Sequence, residues 1–89
     1  MAKYAVTFTR SARKELEALD ERIVSVIFQK IENLSLIPRP VGCRKLVGNK
    51  YLWRIRCGNY RVIYAIHDNT KIVDIIAVRD RKEAYQQLK

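Results

Sequence analysis

The feature that most constrains this 89-residue chain is a pair of strand-like runs, Tyr51 to Cys57 and Tyr60 to His67, separated only by Gly58-Asn59. Two residues of this kind between apolar-rich runs signal a tight β-hairpin. Such a hairpin sets its register by counting outward from the turn. Cys57 then faces Tyr60, Arg56 faces Arg61, Ile55 faces Val62, and Trp53 faces Tyr64. Side chains alternate between the two faces of a strand. Trp53, Ile55, Val62 and Tyr64 therefore make a core face, and Arg54, Arg56 and Arg61 project together from the other. That second face is expected to be exposed, so truncating Arg61 is expected to leave stability nearly unchanged.

The rest of the chain supplies what such a hairpin needs to pack against. Lys3 to Phe8 alternates, with Tyr4, Val6 and Phe8 on one side, and reads as a strand. Thr9 or Ser11 can cap a short helix whose Ala12, Leu16 and Leu19 form one stripe. Asp20 starts a second helix, with Ile23, Ile27, Ile31 and Leu34 at helical spacing and Val24 and Phe28 widening the stripe. The segment from Ile37 to Gly42, with Pro38 and Pro40, stops it. Lys71 to Val78 reads as a further strand after a turn at Asp68-Asn69-Thr70, and residues 81–88 as a short terminal helix or tail. The expectation is a single α+β domain over residues 1–89. Two N-terminal amphipathic helices cover one face of a four-stranded, mostly antiparallel sheet and leave the other face available. The register of the last strand stays open. A three-residue turn at 68–70 puts Arg79 on the face of Arg61, and a two-residue turn does not.

Charge narrows the partners. Of 18 basic and 9 acidic residues, none of the acids lies between Glu32 and Asp68, where Arg39, Arg44, Lys45, Lys50, Arg54, Arg56 and Arg61 all fall. A single-sign field of this kind attracts a polyanion, either nucleic acid or an acidic protein. Facing like charges cost about 0.2–1 kcal/mol in a sheet. Arg56 set against Arg61 therefore suits a bound anion better than it suits folding, and the guanidinium fork matches phosphate oxygens. No apolar run approaches membrane-spanning length, no signal-like segment follows Met1, and the chain is expected to work in the cytoplasm. Cys43 and Cys57 have no metal-ligand spacing and read as reduced thiols, with a catalytic Cys57 as the sharper alternative if Arg56 and Arg61 depress its pKa. The lone His67 reads as a surface histidine, and Tyr4, Tyr51, Trp53, Tyr60 and Tyr64 as sheet-packing residues. Neither a cofactor nor a metal is expected.

One stretch is more specific than composition. Trp53-Arg54-Ile55-Arg56-Cys57-Gly58-Asn59-Tyr60-Arg61-Val62-Ile63-Tyr64 resembles the RelE/ParE toxin family. So do Tyr4 to Thr9 with Ala12 and Leu16, Pro38-Arg39-Pro40 with Lys45-Leu46, and the ending Val78-Arg79-Asp80-Arg81-Lys82-Glu83-Ala84-Tyr85. The resemblance covers nearly the whole chain. It implies the toxin of a type II toxin–antitoxin pair, acting as a ribosome-dependent, metal-independent endoribonuclease on mRNA. It implies catalytic roles for Arg54, Arg56, Arg61, Arg79, Arg81 and Tyr85, with Arg39, Arg44, Lys45 and Lys50 contacting RNA or ribosome. It also implies an acidic antitoxin partner in a hetero-oligomer. Some members of the family have lysines where this chain has Arg54 and Arg56. A lysine can lose its proton near neutral pH when its pKa is depressed, and an arginine cannot. The competing readings are a non-enzymatic toxin that inhibits DNA gyrase and a plain nucleic-acid-binding module.

Overall fold

The computed structural model describes residues 3–48 and 51–80. Its elements are β1 (Ala5–Phe8), α1 (Arg10–Glu17), α2 (Glu21–Leu36), β2 (Arg44–Lys45), β3 (Leu52–Cys57), β4 (Tyr60–His67) and β5 (Ile72–Asp80). Both helices start where a side-chain oxygen satisfies an otherwise orphaned amide. Thr9, in extended conformation, caps α1 by accepting from the Ala12 amide at 3.1 Å. Asp20 caps α2 by accepting from the Arg22 amide at 2.9 Å. At its far end α2 stops at Ile37, whose φ of −131° is the extended conformation imposed by the following proline.

The sheet has five strands in the order β1-β5-β4-β3-β2, with β1 parallel to β5 and every other pairing antiparallel. The expected four strands are thus corrected to five. The added strand, β2, is only two residues long, too short to show any alternation, and it exists because Arg44 and Lys45 pair with Arg54 and Trp53. The β3–β4 register is the one counted from the Gly58-Asn59 turn, with Gly58 at φ +62°.

Ala12 and Leu16 of α1 and Ile27, Ile31 and Leu34 of α2 pack on Ile55, Val62, Tyr64, Ile66, Val73, Ile75 and Val78 of the sheet. Phe28 departs from the expected buried stripe: it stays 40% exposed and tilts against Phe8, with ring centroids 5.8 Å apart. Tyr64 is wholly buried, and its hydroxyl donates to the Pro38 carbonyl at 2.8 Å, which ties the segment after α2 to the central strand. Burial raises the Tyr64 pKa, so the phenol stays a donor. A second anchor ties the same segment down: Arg39 donates to both oxygens of Asp68, at 2.8 and 3.3 Å, and lies 5.1 Å from the Trp53 ring centroid. The Tyr4 hydroxyl also donates to Asp68, at 2.6 Å.

The sheet face away from the helices is not bare across its width. Arg61, Ile63, Ala65 and Ala77 on that face are each 5% exposed or less. Arg61, Ile63 and Ala65 lie on β4 and Ala77 on the neighbouring β5.

Candidate nucleic-acid site

Two consecutive rows across the sheet carry five arginines. In one row Arg56 faces Arg61, and Arg61 faces Arg79, so three arginines lie abreast on β3, β4 and β5. In the adjacent row Arg44 faces Arg54. Five guanidinium groups therefore share one face, and each facing pair costs about 0.2–1 kcal/mol relative to neutral residues. The structure thus brings together Arg54, Arg56, Arg61 and Arg79, and adds Arg44 to them.

Arg79 arrives there by a route the sequence does not display. His67 pairs with Ile72, so the turn holds four residues, 68–71, closed by Lys71 at φ +57°. Four residues alone would send Arg79 to the wrong face. Between the pairs Tyr64–Ile75 and Ile63–Ala77 the register shifts, leaving Ile76 as an extra residue in β5. This bulge restores the parity. Thr9 secures the bulge: its amide donates to the Ile75 carbonyl at 3.0 Å and its hydroxyl to the Ile76 carbonyl at 2.9 Å. The α1 cap and the placement of Arg79 are thus held by one residue.

Glu15 of α1, which the sequence reading did not single out, completes the arrangement. One carboxylate oxygen accepts from the Val78 amide at 3.1 Å and the other from Arg79 Nε at 2.6 Å. β1 ends opposite Ile75, so β5 runs on as an edge past that point. Glu15 covers that edge and fixes Arg79 through Nε. Its only sequence signal is a position beside Leu16 at the margin of the α1 stripe.

Other expected site residues are placed differently. Arg61 is 3% exposed, which corrects the expected exposed position; its place on a central strand between two long neighbours encloses Nε and Nη1. Arg39 is engaged by Asp68 and Trp53, on the side of the sheet away from the arginine rows. Lys45 alternates with Arg44 and faces Trp53, so it also points away. Lys50, Arg81 and Tyr85 lie outside the described residues, as does the expected terminal helix or tail over 81–88. Cys57 is buried on the core face, and desolvation raises its thiol pKa, which opposes the activated thiolate considered for it. His67 is exposed and distant in register from Arg56 and Arg61, with Tyr51 its ring neighbour at 6.1 Å. Tyr51 is itself 58% exposed rather than packed in the sheet, because β3 begins only at Leu52.

Comparison with known proteins gives a consistent family. Residues 6–85 match the family described as the ParE toxin of type II toxin–antitoxin system, parDE. The toxin RelG of Mycobacterium tuberculosis (strain ATCC 25618 / H37Rv) is 34% identical over 88 residues, covering 94% of this chain and 98% of the relative. The fold is similar to the archaeal RelE–RelB complex from Pyrococcus horikoshii OT3, with TM-score 0.79, 28% identity, and coverage of 91% of this chain and 97% of that one. It is also similar to the toxin–antitoxin complex RelBE2 from Mycobacterium tuberculosis, with TM-score 0.78, 31% identity, and coverage of 89% and 99%.

Proposed function

Because this chain belongs to the ParE toxin family of type II toxin–antitoxin systems, we propose that it is the RNA-cleaving kind of toxin, a metal-independent endoribonuclease that cuts mRNA on the ribosome. The observation that carries this reading is the row Arg56–Arg61–Arg79 beside Arg54, an assembly of facing like charges that folding alone disfavours.

The chemistry suits such a row. The ribose 2′-oxygen attacks the adjacent phosphorus, a P–O2′ bond forms, the P–O5′ bond breaks, and a proton passes from the 2′-hydroxyl to the departing 5′-oxygen. Negative charge grows on the phosphoryl oxygens, and preorganised donors aimed at that charge are the most effective stabilisers. Arg61 lies between Arg56 and Arg79 and is 3% exposed, and Arg79 is held by Glu15. Arg54 and Arg56, nearer the sheet margin, meet the substrate backbone. None of these guanidinium groups can act as a base. Tyr85 and Arg81 remain the candidates for proton movement and leaving-group neutralisation, and ribosomal positioning of the RNA supplies the alignment.

An antitoxin partner follows from the family, and we infer an acidic one that binds the cytoplasmic toxin through two features. The basic surface speeds encounter. The groove of about 470 Å³, whose lining includes Phe8, Leu16, Leu19, Val24 and Phe28 together with Arg13, Glu17 and Glu21, receives the apolar side of an amphipathic segment. Association should therefore slow as salt rises while dissociation stays slow.

Primer extension on mRNA translated in a purified system tests the activity. Cleavage is expected at the decoding site, with poor cutting of naked RNA and loss in Arg56→Ala. Equal cutting of free and ribosome-bound RNA overturns the ribosome dependence. The second reading, a gyrase-directed toxin, is favoured by the match to ParE. It replaces the first if gyrase supercoiling is inhibited while translated mRNA stays intact.

A further inference from the structure

Beyond the arginine row, the sheet margin opens into a groove of about 450 Å³ lined by Lys30, Asn33, Gly42, Arg44, Arg54 and Arg56. Lys30 and Asn33 come from α2, on the helix side of the sheet, while Arg44, Arg54 and Arg56 come from the arginine face. The groove therefore bends around the margin of β3 from one face of the domain to the other. We propose that this groove is a track for the RNA sugar–phosphate backbone, carrying the strand off the arginine row, around β3, to Lys30 and Asn33 on α2. The proposal rests on the RNA-cleaving reading for its ligand and adds the path the strand takes.

Four observations support it. Among the described residues no acid lines the groove, while four of the lining side chains are cationic. Among the described residues, Lys30, Arg44 and Arg56 are exposed and none of them forms an ion pair. Charges left in this state on both sides of a concave surface focus a positive potential into it. Spacing fits as well: Arg54 and Arg56 sit two residues apart on one strand, an advance of about 6.8 Å, which is on the scale of the repeat of an extended phosphodiester chain. The fourth observation is how the groove is kept open. The Leu46 amide donates to the Leu52 carbonyl, so the even-numbered residues of β3 turn their backbone groups toward β2. Continuing the register of Arg44 with Arg54 would place Gly42 opposite Arg56. Instead Gly42 adopts φ +94° and turns the chain away, so the backbone at Arg56 borders the groove.

An acidic peptide is the other polyanion that fits the charge. Among the described lining residues the apolar ones are Pro40, Val41 and Ile55, and Ile55 is 4% exposed, so two adjacent residues are left to anchor a peptide beside four cations. Peptide recognition relies on apolar anchors, whereas RNA backbone recognition relies on cations and amides.

The test uses the full chain and a 2′-O-methyl RNA oligonucleotide, which cannot be cut, with binding followed by fluorescence anisotropy from low to high salt. Each phosphate contact contributes about 0.7 to the slope of log K against log salt for a single strand. Lys30→Ala is expected to weaken binding several-fold and to lower that slope by about 0.7. It should also raise the concentration needed for half-maximal cleavage on ribosomes without changing the saturated rate. Arg22→Ala, at the other end of α2, is the charge-matched control and should change neither. An unchanged slope in Lys30→Ala, or an equal loss in Arg22→Ala, overturns the track. So does binding of a polyglutamate peptide in place of the oligonucleotide. Ribosome-dependent cleavage by a wild type that ignores the oligonucleotide leaves the nuclease standing and removes the track. Slope loss in a protein that cuts nothing keeps the track and removes the nuclease.

Discussion

Replacing Glu15 with alanine should be among the most destabilising single changes on the surface of this domain. The carboxylate accepts two hydrogen bonds, from the Val78 amide at 3.1 Å and from Arg79 Nε at 2.6 Å. Val78 is 3% exposed, so water reaches its amide poorly once the acceptor is gone. An unsatisfied buried donor costs about 1–3 kcal/mol. The ion pair itself is partly exposed, at 22% and 26% for the two side chains, and exposed pairs contribute at most about 1 kcal/mol. Arg79 would then face Arg61 with no carboxylate beside it, a further few tenths of a kcal/mol. The sum is roughly 2–3 kcal/mol, which for a domain of this size lowers the melting temperature by about 8–24 °C. Glu15→Gln keeps an oxygen acceptor for Val78 and loses only the charge, so its cost should be about 1 kcal/mol. Urea denaturation of both variants, with the slope checked for constancy, measures these differences. A Glu15→Ala unfolding free energy within about 0.5 kcal/mol of wild type would refute the edge-capping argument.

Arg61→Ala should abolish growth arrest and also cost about 1–3 kcal/mol, because a side chain 3% exposed leaves a void when truncated; an unchanged urea midpoint would contradict its enclosure. Asp68 has its pKa lowered to about 2 from 3.8, first by the Arg39 hydrogen bond and then by Tyr4. A depressed carboxylate pKa contributes stability that is present above pH 4 and lost as pH falls toward 2. The stability gap between wild type and Asp68→Asn, followed by acid titration, should therefore close over that interval, and a gap that persists at pH 2 would exclude the linkage. Gly42→Ala meets no steric clash but must hold φ +94°, so it should cost about 1–2 kcal/mol by thermal denaturation; a neutral result would mean that the turn at Gly42 relaxes.

Local signals carried the sequence reading a long way, and the points where it stopped are instructive. The β3–β4 register was legible because Gly58-Asn59 leaves no slack: two residues determine every pair from Cys57–Tyr60 to Trp53–Tyr64. The helix caps were legible because a capping side chain acts within three residues of itself. β2 was not, since its two residues are strand only by virtue of Arg54 and Trp53. Arg79 marks the limit most clearly. Its face depends on a turn length and a bulge, each of which inverts the answer alone, and the bulge is held by Thr9, 67 positions away in sequence from Ile76. Parity in a strand is a global property wherever a bulge can enter it. The acid-free stretch between Glu32 and Asp68 misled for a related reason: it treated neighbours in sequence as neighbours in space. Alternation sends Lys45 to the far side of the sheet from Arg44, and Asp68 claims Arg39 across 29 residues. Meanwhile α2 delivers Lys30 to the margin of the arginine surface from outside the stretch altogether. The basic surface is thus assembled by register and helix packing, and a substitution that shifts β5 by one residue should take Arg79 off it without removing a single charge.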